Sequence, residues 1–398
     1  MSVDLHYGAS NSLTIDFTTE QVATSASLNV EPIIGTLKDA VYSSLDQSIH
    51  FPAFREIVFP GDTLAIAVGE CIPRSSEILA MLIEYIQTYT EVALEDITIV
   101  FANESTASTQ TELKNLLDEF VFSTLTFEVH NPDISEELAY LTVTEEGEPI
   151  RLNKTLVDSD VVFPICSNLP DSIFGYAGFF HDLFPLYTET ETILRFRSHQ
   201  NAASLKRDSM EAANMLGVQY LMKVTPANGD DIHNIIAGDI FTLQNSAPAI
   251  AEAIWGHSFS ESDLSIGTLS GPYQHQTWDN LARAINTLAR STASSGSIVI
   301  CSELSGPLPA PFRLLASNDA HKQLAEELKQ QPDVDIQAAQ EILRLRDEYH
   351  IYLLSNLSGD DVESIGLAHI ESPSQINNLV ASAKKVNCLH DAHRIAAR

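Results

Sequence analysis

Positive charge is what this chain has least of: 22 Lys and Arg stand against 54 Asp and Glu, a formal net charge of -32 over 398 residues. A field of that sign repels phosphate backbones and anionic bilayers, which removes nucleic acid and membranes from the expected partners. Cysteine pairing is missing too. Cys71, Cys166, Cys301 and Cys388 are scattered, with no Cys-x-x-Cys, which argues against a structural zinc site and fits reduced thiols in a cytoplasm. No apolar run approaches the roughly 20 residues that a membrane span needs. Met1-Ser2-Val3-Asp4 opens neither a basic nor an apolar leader, and the chain shows no internal repeat or low-complexity tract. What is present is the composition of an ordinary soluble globular protein, 44% apolar and 19% charged. The acidity reads as solubility, and the length implies two domains.

Strand and helix signals alternate. Leu13 and Ile15 before Asp16 and Phe17 suggest a first strand, and Thr63 to Gly69 a better one after the turn Pro60-Gly61-Asp62. A helix follows, capped by Ser75 or Ser76, with Ile78, Leu79, Leu82, Ile83 and Ile86 on one face. Ile97 to Ala102 is the next strand. Thr109 with Glu112 has the form of a capping box before a stripe of Leu113, Leu116, Leu117 and Phe120. Leu125 to His130 is a third strand, Tyr140 to Thr144 with Pro149 to Leu152 a hairpin, and Val161 to Ile165 a buried strand. A helix near Ser204 to Leu216 precedes a hairpin of Tyr220 to Val224 and Ile232 to Ala237, turned at Asn228-Gly229 as a type I′ pair. An Ala-rich helix then runs to Trp255.

The pattern turns polar at His257 to Asp263, which places the boundary between domains 1–258 and 259–398, with the last dozen residues free to pack back on the first domain. The second domain repeats the alternation through Leu264 to Thr268, the helix Thr277 to Thr292 with Trp278, Leu281, Ile285 and Leu288 inward, and Ser297 to Cys301. Two helices within Asp319 to Tyr349, a strand His350 to Leu354 and a helix Pro373 to Lys384 complete it. The expected fold class is α/β: two domains, each with a mostly parallel sheet covered by helices, and a cleft between them.

The segment Asn168 to Pro185 leaves the buried strand through Pro, Asp and two glycines, Gly175 and Gly178, that let backbone approach a ligand closely. Aromatics surround them and His181 follows. Loops at the carboxyl ends of parallel strands are where α/β proteins keep their sites. If this strand joins the sheet in parallel, its loop emerges beside Glu70 to Arg74 and Asn103 to Ser108.

A series of short motifs runs along the chain: Tyr7-Gly8, Pro60-Gly61, Gly69-Glu70, Asp96-Ile97-Thr98-Ile99, Gly147-Glu148-Pro149 with Asn153, and Val157-Asp158-Ser159-Asp160-Val161-Val162. They continue with Gly175-Tyr176-Ala177-Gly178, Glu191-Thr192-Ile193 and Ala237-Gly238-Asp239. Their order resembles that of the nickel-pincer lactate racemase family, and the resemblance implies a racemase or epimerase of a 2-hydroxy acid. In that family a pincer nucleotide, tethered to a lysine through a thioamide, holds nickel together with a histidine. Two further histidines act as alternate bases, an Asp and an Arg on the first loop hold the cofactor, and a second-domain helix supplies polar contacts.

Carried over by position, the resemblance makes Glu70, Arg74, Ser105, Gly175, Gly178, Asn280 and Arg283 the cofactor-binding candidates. Asp171 and His181 become the catalytic candidates, and His181 with His199 the metal candidates. The departures are in kind. Arg and Pro change places in Glu70-Cys71-Ile72-Pro73-Arg74, Ser105 and Asp171 stand where base histidines are expected, His181 stands at the tethering lysine, and Arg197 aligns with the metal-ligand histidine. A serine has no pKa that lets it act unaided as a base, and a carboxylate is a weaker base than imidazole. No lysine lies within the loop, and Lys206 is well downstream.

Each candidate has a plainer reading. His181 also fits as a half-buried ring among Phe179, Phe180 and Phe184. Arg74 fits either an anion contact or a surface salt bridge, Glu70 and Glu104 either a carboxylate pair or two solvated acids, and Glu303 either a substrate contact or a free loop acid. Three functions remain open: a racemase or epimerase with a rebuilt site, a binding protein for an organic acid or nucleotide, and a degenerate structural member of the family.

Overall fold

The computed structural model describes residues 2–18, 21–26, 30–144, 147–169, 183–198, 202–316, 321–329, 333 and 335–397. It divides into two compact units, 30–252 and 1–29 with 253–398. In chain order the first residues form β1 (Ser2–Tyr7), β2 (Asn11–Asp16) and β3 (Val22–Ala26).

The central unit follows with α1 (Leu37–Asp46), β4 (Leu64–Val68), α2 (Ser75–Tyr89), β5 (Ile97–Phe101), α3 (Glu104–Leu116), α4 (Glu119–Thr124) and β6 (Thr126–Val129). It continues with β7 (Leu138–Val143), β8 (Pro149–Asn153), α5 (Lys154–Asp158), β9 (Val161–Ser167), α6 (Thr190–Ser198), α7 (Ala202–Met215), β10 (Tyr220–Pro226) and β11 (Ile232–Asp239). Its main sheet has the order β11-β10-β9-β4-β5-β6, parallel except for β11. β4 is buried at all five positions. Leu64, Ile66 and Val68 pack on one face with Ile78, Leu79, Leu82, Ile83 and Ile86 of α2, while Ala65 and Ala67 face the other cluster with Leu152, Tyr187, Leu221 and Leu243. A strand covered on both faces reads as a continuous apolar run, and each fully buried Leu or Ile adds about 2 kcal/mol. β7 and β8 pair as a separate hairpin.

The chain continues through α8 (Ile240–Trp255), β12 (Gly256–His257), β13 (Ser262–Thr268), α9 (Trp278–Ala289), β14 (Thr292–Cys301), α10 (Ala310–Leu315), α11 (His321–Lys329) and α12 (Ile336–Arg346). It closes with β15 (His350–Leu354), α13 (Gly359–Ser364), β16 (Ala368–His369), α14 (Pro373–Ser382), β17 (Val386–Leu389) and β18 (Ala396–Ala397). The six-stranded sheet here is wholly parallel, β16-β15-β14-β13-β17-β3. On α9, Trp278, Leu281, Ile285 and Leu288 are buried as the apolar stripe required, with Trp278 stacked on Phe312 at 3.9 Å. Among the described residues no helix is long and apolar enough to cross a membrane.

The compact units differ from the expected division 1–258 and 259–398 at both ends of the chain. Residues 1–29 belong with the C-terminal unit rather than with 30–258, because β3 pairs with β17 and Leu5, Leu13, Ile15 and Phe17 share a core with Leu264, Ile266 and Val380. The last dozen residues stay in that same unit, through β17 against β13 and β18 against β12. The Thr109–Glu112 box is likewise not a cap: α3 already starts at Glu104. Of the stripe expected after that box, Leu113 is buried, but Leu116 is 50% and Phe120 74% exposed. The Asn228-Gly229 turn is not type I′, since Gly229 takes φ +61 without Asn228 joining it among the positive-φ residues.

Two glycines of the sequence motifs are frame positions. Gly8, at φ +59, passes so close to Glu303 that a Cβ would fall on its carboxylate, which accepts the Ala9 N–H at 3.0 Å and the Asn11 side-chain amide at 2.5 Å. Gly238, at φ +151, bridges to Ile49, and a Cβ there would fall on the Ile49 backbone. Gly61, at φ +88, has open space around it. Gly61→Ala should therefore cost only the left-handed backbone penalty of about 1 kcal/mol. Gly238→Ala should lose on the order of 3 kcal/mol, because backbone has to move as well. Urea unfolding midpoints of the two variants check this, and equal losses would contradict the close approach at Ile49.

Candidate functional site

Because β4, β5 and β9 are parallel neighbours, the loops after Val68, Phe101 and Ser167 leave from one edge of the central sheet. The chain runs from β4 outward to β5 and β6, then returns to place β9 and β10 on the other side. The strand order therefore reverses between β4 and β9, and open α/β sheets keep their crevice at that switch point. Gly69 N–H donates to the Ile165 carbonyl at 2.9 Å across it. The loops from distant sequence that were expected to converge do so at their roots.

On the first loop Arg74 is the residue before α2, in the left-handed region at φ 50, without a side-chain cap from Ser75 or Ser76. Its guanidinium forks onto Glu77, Nε to Oε1 at 2.7 Å and Nη2 to Oε2 at 2.6 Å, and its N–H donates to Asp230 at 3.3 Å. That bidentate bond holds the Arg74 pKa above and the Glu77 pKa below their ordinary values. The ion pair within the chain, one of the two readings for Arg74, is formed. Glu70 accepts from the Asn103 side-chain amide at 2.6 Å. The hydroxyls of α3 tie it to α2: Ser75 meets Thr109 at 2.9 Å and Ser76 donates to Glu112 at 2.9 Å. This is what the Thr109–Glu112 pair does in place of capping. Ser105 falls in the first turn of α3.

Beneath the edge, the fully buried Tyr187 hydroxyl lies 2.8 Å from the Val68 carbonyl and 2.9 Å from that of Val100, fixing the ends of β4 and β5. Two groups here escaped sequence reasoning. His130, after β6, is buried with Nε2 3.0 Å from the Thr188 carbonyl, and desolvation lowers its pKa. Lys223, on β10, is 1% exposed and donates to the Ser167 carbonyl at 3.0 Å, where β9 gives way to the loop. Lys223 breaks the apolar alternation of its strand, and that was the signal available. Beside it Asn168 donates to the Thr225 hydroxyl at 3.1 Å. Asp171, Gly175, Gly178, His181 and His199 lie outside the described residues, so the expected catalytic pair and metal pair do too. Among the described residues no group of His, Cys, Asp and Glu is placed to hold a metal ion.

The C-terminal unit has a switch point of its own, between β13 and β17. There Asp391 accepts the N–H of Ser270 at 3.0 Å and the Ser270 hydroxyl, and lies 3.8 Å from the Arg394 guanidinium. Arg394 Nη2 reaches His275 Nδ1 at 3.3 Å. Burial, with Arg394 adding to it, pushes the His275 pKa down to about 3, and burial beside Arg394 also holds His393 well below its ordinary value. Both rings are therefore neutral at pH 7. Asn280 and Arg283, on α9, join this cluster: Asn280 donates to the His275 carbonyl at 2.9 Å and accepts from Arg283 at 3.0 Å. Glu303, the candidate for a substrate contact, accepts from Ala9 and Asn11 at the β1–β2 turn.

Residues 7–207 match the family model of the lactate racemase N-terminal domain. The chain belongs to the lactate racemase family. The apoprotein structure of the lactate racemase from Thermoanaerobacterium thermosaccharolyticum aligns over 100% of both chains, with TM-score 0.82 at 16% identity. A crystal structure of a protein from Thermotoga maritima aligns over 87% of this chain and 94% of its own, with TM-score 0.65 at 12% identity. No curated protein matches the sequence. These likenesses show the lactate racemase fold across the whole chain.

The buried imidazole in this lactate racemase relative has a consequence for acid stability. His275 has its folded pKa lowered to about 3, so below pH 6.5 the unfolded chain binds a proton that the folded chain refuses. Its contribution is intact above pH 6.5 and is lost as pH falls, by on the order of 1 kcal/mol per pH unit. The loss of urea stability between pH 7.5 and pH 4.5 should shrink in His275→Asn relative to the parent. An undiminished loss would mean that His275 is not a buried neutral ring.

Proposed function

We propose that this chain is a racemase- or epimerase-type protein for a small 2-hydroxy acid, with a site rebuilt on the lactate racemase frame. The observation that carries this reading is the shared edge: β4, β5 and β9 run parallel, so Glu70 to Arg74, Asn103 and Asn168 stand at the roots of neighbouring loops. The family match over 7–207 supports the same substrate class.

The nickel-pincer nucleotide does not fit the residues present. Arg74 is closed on Glu77 and its N–H on Asp230, Glu70 is engaged by Asn103, and no lysine lies between 168 and 185 to form the tether. An anionic cofactor arriving at the Arg74 guanidinium would meet Glu77, Asp230 and Asp231 around it. No step is therefore drawn through that group. The same observation favours a second reading, a binding protein for an organic acid or nucleotide without turnover.

Chiral chromatography of a panel of 2-hydroxy acids after incubation with the protein separates the two readings. Interconversion of enantiomers, unaffected by added nickel and pincer cofactor, is the expected result. Calorimetric binding without interconversion selects the second reading. Stoichiometric nickel with a bound chromophore after exposure to the cofactor would overturn the stated misfit.

A further inference from the structure

β11 is an edge strand of the central sheet, and its free edge is bridged at both ends. The Ile33 N–H donates to the Ile232 carbonyl at 2.8 Å, and His233 Nδ1 lies 2.8 Å from the Glu31 carbonyl. Farther along, the Ile49 N–H donates to the Ala237 carbonyl at 2.8 Å, and the Ile49 carbonyl accepts the Asp239 N–H at 2.9 Å. Residues 237 and 239 therefore turn their backbone groups away from β10, and alternation along the strand turns those of Ile235 the same way. Its partner in register, Val224, agrees: the Val224 carbonyl points to the side of β9, where it accepts the Asn168 N–H at 2.8 Å. Among the described residues none bonds to the N–H or the carbonyl of Ile235 beyond the edge.

That open rung does not lie on bare surface. Ile235 is 7% exposed, and with Ile33, Ile34, Ile49 and Ala40 of α1 it lines a crevice of about 500 Å³. A crevice of that size suits a small ligand. A buried donor and acceptor left without partners carry a cost, which a ligand offering the matching pair removes. Ile34 stands at the crevice 94% exposed, an apolar side chain that the chain itself leaves uncovered. Glu31 and His233 are the ionisable residues of the lining, which has no Lys or Arg. A carboxylate entering there meets an acid and no fixed cation.

We propose that this crevice binds a short, extended, apolar peptide without acidic groups, which adds one rung to β11 by pairing with both backbone groups of Ile235. The bridges set its length. The edge from residue 232 to residue 238 is about 20 Å long, and Ile33 and Ile49 occupy its ends, which leaves room for about three residues between them. The lining comes from residues 31–49 and 233–237, so the site is separate from the strand-end loops and does not depend on the organic-acid reading.

The test is calorimetric titration of the full chain with acetyl-Ala-Leu-Ala dimethylamide and two altered probes. One is its ester analogue, which keeps the shape without the N–H donors, and the other carries a succinyl cap that adds a carboxylate. The ester should bind about tenfold more weakly, as loss of a backbone bond that leaves a buried carbonyl unpaired does. The succinyl probe should bind about threefold more weakly at low salt. Ile34→Ser, at a side chain that packs on nothing in the chain, should weaken the first probe about threefold to tenfold without lowering the melting temperature. Hydrogen exchange of the segment 232–239 should slow when the first probe is bound. Absence of binding, equal binding of the ester, an unchanged affinity in Ile34→Ser or unchanged exchange at 232–239 overturns the proposal. A concentration-dependent dimer by light scattering that Ile34→Ser abolishes also overturns it, because the occupant is then a second copy of the chain.

Discussion

A parallel sheet buried on both faces must be joined by crossovers, so its βα loops all leave from one edge. That constraint organises each unit of this protein. In the central unit it sets the loops after β4, β5 and β9 side by side, and in the C-terminal unit it sets the ends of β13 and β17 together. In both, the strand order reverses between those strands. Neither arrangement depends on the particular polar residues that the loops carry, because the strands are held by backbone pairing and apolar packing.

The charge balance then decides what the edges hold. With 22 basic residues against 54 acidic ones, a guanidinium at a strand end meets carboxylates of its own chain before it meets a ligand. Arg74 is forked onto Glu77, and Arg394 lies against Asp391. The two pairs differ in consequence. The Arg74 pair is about one-third exposed on each side, so it adds less than about 1 kcal/mol to stability, and its effect is to occupy the cation. The Arg394 pair is almost wholly buried, where removal of one partner would strand the other charge and the ring of His275 with it.

The parts of the fold legible in the sequence are those fixed by local pattern. The apolar run of β4, the five-residue stripe of α2 and the Trp278 face of α9 are dictated by burial, and the structure has them where periodicity put them. What escaped depends on partners far away in the chain. The Thr109–Glu112 spacing is that of a cap, yet both side chains meet α2 more than thirty positions earlier. The first 29 residues read as the start of the first domain, but their strand completes a sheet whose neighbour, β17, lies at the other end of the chain. Lys223 shows in the sequence only as a charge inside an apolar strand, and it takes the register of β10 on β9 to put its amine at the base of the loop.

The same distinction explains how a family can be legible from positions outside its site. The motifs that carried the likeness include Tyr7-Gly8, Asn153 and Ala237-Gly238-Asp239, and each has a structural duty here. Gly8 makes room for Glu303, Asn153 caps α5 by accepting from Leu156, and Gly238 admits the Ile49 backbone. A side chain at Gly8 or Gly238 would collide with atoms already in place, and loss of the Asn153 amide would leave a helix end unsatisfied. Positions facing a ligand answer to the ligand as well as to the fold, and the sequence carries Ser105 and Asp171 where the resemblance implies imidazoles. Shape is kept by packing, and chemistry only by use.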